Sequence, residues 1–268
     1  MKRIFTGSVM VSLLLGLTGV AFGKGIAGVA NTLHNLSSTS VVFSSYASTN
    51  LDEICVFCHT PHGGSLSGPL WNHDLPNATS FTHYTSASLS PTLQGLSVSR
   101  AVNDESLLCM ACHDGSVAVD HLINDPNVLG GTPIMTGFGT DVDIISMFGM
   151  AGPRIGESPA TPGGTGNLSD DHPISFSYSA VLADPIYSVG GARHLELRPI
   201  GNVTDGASVL GWNGEGVRLF GNDNRVECST CHDPHVDYES GINAPKNYTP
   251  FLIRPNDGSQ LCLACHNK

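Results

Sequence analysis

Apolar residues along the 268-residue chain fall into one long run and many short ones. The long run, Ile4 to Phe22, follows Met1-Lys2-Arg3 and precedes Lys24, the layout of a secretory signal peptide (1–23) cleaved after Ala21-Phe22-Gly23. An uncleaved anchor is the alternative, since the run approaches the ~20 residues that cross a bilayer; Gly7, Gly16 and Gly19 dilute it. No second run reaches that length and no lipidation cysteine lies near the cleavage site, so no membrane span is expected after signal cleavage. Ser106-Leu107-Leu108 behind Asp104, and Leu261 behind Ser259, predict short capped helices. Gly206 to Phe220 predicts a hairpin turning at Asn213-Gly214. Residues 130–168, rich in Gly, Thr and Pro, predict a loop over the surface between two halves, or a flexible linker between independent domains. Elsewhere the pattern predicts coil and short strands. The expected fold class is mostly coil with short helices and a few short strands.

Composition sharpens this picture. Gly 31 and Pro 16 exceed their usual combined share, which favours turns over long regular elements. Only 13% of residues are charged and the net charge is −11, becoming −13 when Lys2 and Arg3 leave with the signal. A phosphate-binding protein needs a basic footprint, so a nucleic-acid partner is excluded. With Phe 10, Tyr 6 and Trp 2, aromatic packing is limited, and Trp71 and Trp212 are expected in packed positions.

The chemistry lies in the cysteines. All eight form four CxxC pairs, each followed by histidine: Cys55-Val56-Phe57-Cys58-His59, Cys109-Met110-Ala111-Cys112-His113, Cys228-Ser229-Thr230-Cys231-His232 and Cys262-Leu263-Ala264-Cys265-His266. This is the attachment signature of a c-type haem. On one helical turn, cysteines at i and i+3 share a face with the histidine beside them. Two thioether bonds then hold the porphyrin edge while the imidazole reaches the iron. Four disulfides, two four-thiolate zinc sites or CxxC redox pairs are the other uses of eight cysteines, and none needs the histidine. With 12 histidines in 268 residues, chance places one after all four pairs about 4 times in a million. Four covalently bound haem c groups are therefore expected, with His59, His113, His232 and His266 as proximal iron ligands.

The motifs also repeat as pairs. Cys58-His59-Thr60-Pro61-His62 leads to Leu108-Cys109-Met110-Ala111-Cys112-His113, and Cys231-His232-Asp233-Pro234-His235 leads to Leu261-Cys262-Leu263-Ala264-Cys265-His266. Histidines three apart on one turn do not reach opposite faces of one haem, so His62 and His235 are expected to ligate the iron of a neighbouring haem. The other distal candidates are His172, in Asp170-Asp171-His172-Pro173 where a carboxylate is available to support the ring, and His34, in cis or across to another subunit. His73 is held in reserve; His83, His121 and His194 are expected to be exposed; Met135, Met147 and Met150 are thioether alternatives. Cleavage leaves 245 residues, about 61 per haem, too few for separate domains. The expectation is a single tetrahaem domain over 24–268, built from two haem pairs (about 24–129 and 200–268) with a Gly/Pro-rich insertion between.

The run Glu53 to His62, with Pro69-Leu70-Trp71-Asn72, Asp171-His172-Pro173 and Cys231 to His235, resembles the multihaem c-type cytochromes of metal-reducing bacteria. It is most like the tetrahaem outer-surface cytochromes that polymerise into filaments. The likeness runs from about His34 to the C-terminus and is specific at the motifs. It implies a multihaem cytochrome c wrapped around a four-haem core, bis-histidine ligation throughout, and stacked haems continuing from subunit to subunit. It also implies that one distal histidine, His34 here, is exchangeable between subunits. The implied partners are other copies of the chain, and redox donor and acceptor proteins or metal oxides. Six-coordinate iron leaves no position for a substrate, which directs the expectation to electron transfer rather than catalysis. An exported conduit at the outer surface or in the extracellular space leads. A monomeric periplasmic shuttle follows, and a reductase with one five-coordinate haem is third.

Overall fold

A computed structural model of the chain describes residues 26–65, 68, 70–76, 80–125, 132–143, 147, 155, 166–205, 216–235 and 251–267. The signal segment, Asn213-Gly214 of the expected hairpin, Trp212 and Met150 lie outside the described residues. The protein is mostly coil, with a few short helices and strands. Among the described residues the helices with described bounds are α1 (Ile26–Ala30), α2 (Pro91–Gln94), α3 (Asp104–His113), α4 (Tyr178–Leu182), α5 (Ile200–Asp205) and α6 (Cys228–Cys231). Strands β1 (Phe81–His83), β2 (Ser99–Arg100) and β3 (Asn167–Leu168) make one sheet, with β1 central, antiparallel to β2 and parallel to β3. Strands β4 (Phe176–Ser177) and β5 (Arg225–Val226) pair antiparallel.

With elements this short, side-chain clusters carry the packing. One gathers Phe43, Leu51, Phe57, Val119, Met135, Val142 and Met147, with Cys58 and Cys112 against it. A second gathers Phe176, Tyr178, Val181, Val203, Val217, Val226 and Ala264, with Leu261 and Cys265 at its edge. Phe81, Val102, Met110 and Leu168 form a third, which seats α3 on the β1 sheet. Each fully buried side chain of this kind contributes about 1.5–3 kcal/mol.

Helix α3 shows how the sequence makes its turn. Leu107, Met110 and Ala111 recur at helical spacing and face inward, with Met110 and Ala111 fully buried. The N-cap is Asn103, one residue before the expected Asp104, and its side chain makes no cap bond. Ser259 does not cap a helix either: it takes φ 61 at the end of a 3₁₀ turn, Asp257–Ser259. Around the motifs only α3 is a helix that ends at its histidine; the third motif is itself the four-residue α6, and the fourth is a 3₁₀ turn, Cys262–Ala264.

The expected surface loop behaves differently where it is described. Met135 is buried, bridges Ser48 and Gly139, and joins the first cluster with Val142. The Ile134 carbonyl accepts from the Thr49 amide at 2.7 Å. Residues 132–143 are thus stitched to the N-terminal segment. Near the expected hairpin, Phe220 and Arg225 exchange backbone bonds of 3.0 and 2.7 Å around Gly221 to Asn224. Gly221 and Asn224 take φ 66 and 55, which Gly and Asn tolerate.

The duplication extends beyond the motifs into the backbone. In the first repeat the Thr60 amide donates to Leu70 O at 2.7 Å and the Asn72 amide to Cys58 O at 2.9 Å. In the second, the Asp233 amide donates to Phe251 O at 2.7 Å and the Ile253 amide to Cys231 O at 2.9 Å. His59 bridges Trp71 as His232 bridges Leu252. Leu70 and Phe251, each following a proline in sequence, both take left-handed backbone, φ 58 and 54. The next equivalent position holds His73 in one repeat and Arg254 in the other, both fully buried.

Candidate functional site: paired histidines and the four CxxCH turns

Each motif closes one helical turn. The amide of His59 donates to Cys55 O at 2.8 Å, that of His232 to Cys228 O at 3.0 Å and that of His266 to Cys262 O at 2.9 Å, while His113 ends α3. The i, i+3, i+4 spacing therefore becomes two thiols and an imidazole side by side on a turn.

All eight cysteines are free thiols, so the disulfide alternative is not what the chain folds around. Burial pushes the Cys58, Cys112 and Cys231 thiols up to about 12 and Cys265 to about 11. The motifs also lie near one another in chain order. Cys58 senses the charge of Cys112, Cys109 shares a thiol hydrogen bond with Cys228, and Cys231 senses Cys265. The Cys109–Cys228 bond holds its proton on Cys109, raising that thiol's pKa.

Three motif histidines face a second histidine. His59 and His235 stand with ring centres 6.2 Å apart and planes 14° from parallel. His34 faces His113 at 6.1 Å and 70°, and His172 faces His266 at 6.5 Å and 74°. Two imidazoles on opposite sides of one metal, each bound at about 2.0–2.1 Å, have ring centres about 6 Å apart. The residues thus fit a group that takes two axial histidines. Among the described residues, no three His, Cys, Asp or Glu side chains converge as a site for a bare ion.

The distal candidates differ in surroundings. His34 packs on Phe251 at 4.3 Å; its buried Nδ1 has no hydrogen-bond partner, and burial, reinforced by His113 and His235, lowers its pKa to about 3. His172 is exposed, and its Nδ1 contacts Pro173 O at 2.9 Å, so a neighbouring carbonyl rather than a carboxylate supports the ring. His235 Nδ1 lies 2.9 Å from Asp233 Oδ1. His62 is exposed, and its carbonyl accepts from Thr60 Oγ1 and Asn124 Nδ2 at 3.0 Å each.

The remaining histidines divide. His121 and His194 are exposed as expected, but His83 is buried in β1, its Nε2 3.2 Å from Arg100 O and its Nδ1 unpartnered. His73, the reserve ligand, is fully buried, with Nδ1 on Asp74 O at 3.3 Å. Met135 and Met147 lie in the first cluster, and Trp71 meets His59 edge to face at 6.1 Å.

Two carboxylates belong to the site without a local sequence signal for their roles. Glu227 is buried and joins the second motif to the third, accepting from Asn103 Nδ2 and Ser106 Oγ at 2.6 Å, Ser175 Oγ at 2.8 Å and Arg225 Nε at 3.3 Å. Ser106 Oγ in turn accepts from the Cys228 amide at 3.1 Å. Asp233 was visible as the variable residue of His-x-Pro-His, but only the fold shows its oxygen at a histidine ring. No protein-family model and no curated protein matches the chain. Among the described residues no helix is long and apolar enough to cross a membrane.

Proposed function

We propose that the chain is an exported tetrahaem c-type cytochrome that transfers electrons without acting on a substrate. One observation carries the reading: three of the four CxxCH histidines face a second histidine at the spacing of two axial ligands of one metal. Iron porphyrin bound there supplies one-electron exchange between Fe(III) and Fe(II).

The chain's residues do the rest. The eight cysteines anchor four haem c groups, and His59, His113, His232 and His266 are the proximal ligands. His235 completes the site of His59, His34 that of His113, and His172 that of His266. His62 and His232 remain for the fourth. In this arrangement the His-x-Pro-His turns exchange ligands, each repeat giving its second histidine to the other's first motif. The nearness of Cys58 to Cys112 and of Cys231 to Cys265, with the hydrogen bond between Cys109 and Cys228, supports a four-haem core in which successive attachment edges lie close. Six-coordinate sites close the iron to substrates, which supports electron transfer over catalysis.

The resemblance to filament-forming outer-surface cytochromes supports assembly with other copies of the chain, in the extracellular space, delivering electrons to acceptor proteins or metal oxides. A second reading, a monomeric periplasmic shuttle, is favoured by one observation: His34 meets His113 within a single chain. Purified haem-loaded protein separates the two. Four haems per chain, an all-low-spin ferric spectrum and long filaments by electron microscopy are expected for the conduit. Discrete particles with the same spectrum select the shuttle, and a high-spin fraction selects the five-coordinate enzyme.

A further inference from the structure

The two His-x-Pro-His turns share a backbone but differ at their second residue, Thr60 in one and Asp233 in the other. Asp233 is buried, and three donors fix its carboxylate. Arg218 Nη2 donates to Oδ2 at 2.9 Å, and the His235 amide donates to Oδ1 at 3.0 Å. The third donor is the His235 ring, whose Nδ1 lies 2.9 Å from that same Oδ1. An ionised carboxylate only accepts, so Nδ1 carries the proton and Nε2 keeps its lone pair. A carboxylate in this position fixes the tautomer and raises the basicity of the nitrogen on the far side of the ring.

At the matching position of the first repeat stands Thr60, whose hydroxyl donates to His62 O and which has no carboxylate to offer that ring. The other distal rings have no carboxylate at Nδ1 either: that of His172 meets a neutral carbonyl, and that of buried His34 has no partner.

On the bis-histidine reading above, we infer that Asp233 is a positioning residue that strengthens His235 as an electron donor, so that the iron held by His59 and His235 has the lowest reduction potential of the four. A more basic axial nitrogen stabilises Fe(III) over Fe(II), and the one electron gained on reduction is correspondingly harder to add. Arg218 tempers this effect by drawing on the opposite carboxylate oxygen, and its half-exposed side chain is replaceable without opening the core.

The test is a visible redox titration of the full, haem-loaded chain, preceded by a haem count. Asp233→Asn is expected to raise the lowest of the four components by about 59 mV, a tenfold change in the one-electron ratio, and to leave the others in place. Arg218→Gln is expected to move the same component down. Thr60→Asp, which copies the second repeat into the first, is expected to lower a different component. All three spectra stay low-spin, because the ligands themselves are intact. A wild-type chain that carries no haem overturns the underlying reading and this inference with it. A haem-loaded chain whose lowest component stays still in both Asp233→Asn and Arg218→Gln, or moves against these signs, overturns the inference alone.

Discussion

The His-x-Pro-His turn of the first repeat and that of the second have nearly the same hydrogen-bond ladder and almost no side chains in common around it. Thr60, Leu70, Trp71, Asn72 and His73 stand where Asp233, Phe251, Leu252, Ile253 and Arg254 stand in the other. The ladder bonds have the same lengths, 2.7 and 2.9 Å, although the return strand arrives after 14 residues in one repeat (Cys58 to Asn72) and 22 in the other (Cys231 to Ile253). Backbone groups make these bonds whatever the side chain, so the turn persists while its surroundings diverge. What the two copies do chemically is therefore set by the residues that differ.

The largest expected effect tests the proposed exchange between the copies. His62→Ala and His235→Ala should each leave one haem of the four five-coordinate, seen as a high-spin fraction in the ferric spectrum of otherwise loaded protein. In the variants with an additional Cys-to-Ala pair, the exchange predicts which haem is affected. Removing the first motif's haem with Cys55→Ala and Cys58→Ala should abolish the high-spin signal of His235→Ala and spare that of His62→Ala. The opposite pairing breaks the exchange.

Glu227 has no counterpart in the first repeat, where Ile54 precedes Cys55. Its carboxylate collects four donors from α3, the β4 edge and β5, so Glu227→Ala strands several of them in the interior. Arg225 keeps Asp223 and Glu105 as partners, so the loss is that of buried donors left unsatisfied, about 1–3 kcal/mol. Urea unfolding of the haem-loaded protein should show a loss of that size, against less than about 0.5 kcal/mol for the exposed control Val189→Ala.

A smaller difference separates His73 from Arg254. Burial lowers the His73 pKa, with backbone contacts to Asp74 and Val119 opposing, whereas a guanidinium stays charged throughout. As pH falls below about 6.5 the unfolded chain takes up a proton that folded His73 refuses, so this stability is complete above that pH and lost below it. His83, held down to about 4 by burial and Arg100, adds to the same slope between about 6.5 and 4. His83→Gln should flatten the fall in denaturation midpoint across that window, and Arg254→Gln should leave the slope unchanged.

How far the sequence shows all this follows from the range of each signal. The motif turns and the coil-rich fold are readable because they depend on spacing within five residues or on composition. His34, His172 and His235 were readable as candidates, but their partners lie about 79, 94 and 176 residues away in sequence, and no local pattern encodes such pairings. His83 reads as exposed in the sequence, since Phe81-Thr82-His83 is too short for its alternation to register; burial at Phe81 and His83 follows from β1 being central. The 132–143 segment looked like a surface loop by composition, yet Met135 and Val142 within it supply core. Glu227 carries no local signal because its donors come from three separate elements.

The smallest expected effect reverses sign between the copies. Leu70 and Phe251 share left-handed backbone, which costs a non-glycine residue about 1–2 kcal/mol. Glycine relieves that strain at either position but gives back about 0.5–1 kcal/mol through a freer unfolded chain. Leu70 is 54% exposed and loses little packing, so Leu70→Gly should stabilise by about 0.5 kcal/mol. Phe251 rests against His34 with ring centres 4.3 Å apart, and losing an aromatic contact of this kind costs about 0.5–1.5 kcal/mol beyond the area it buries. Adding about 1–1.5 kcal/mol for the apolar area that half-buried Phe251 loses, Phe251→Gly should destabilise by about 1–2 kcal/mol, and by loosening His34 it should weaken the low-spin signal of the site shared with His113. Equal shifts of the same sign in the two variants would mean that the ladder alone fixes these positions and that the Phe251–His34 contact contributes nothing.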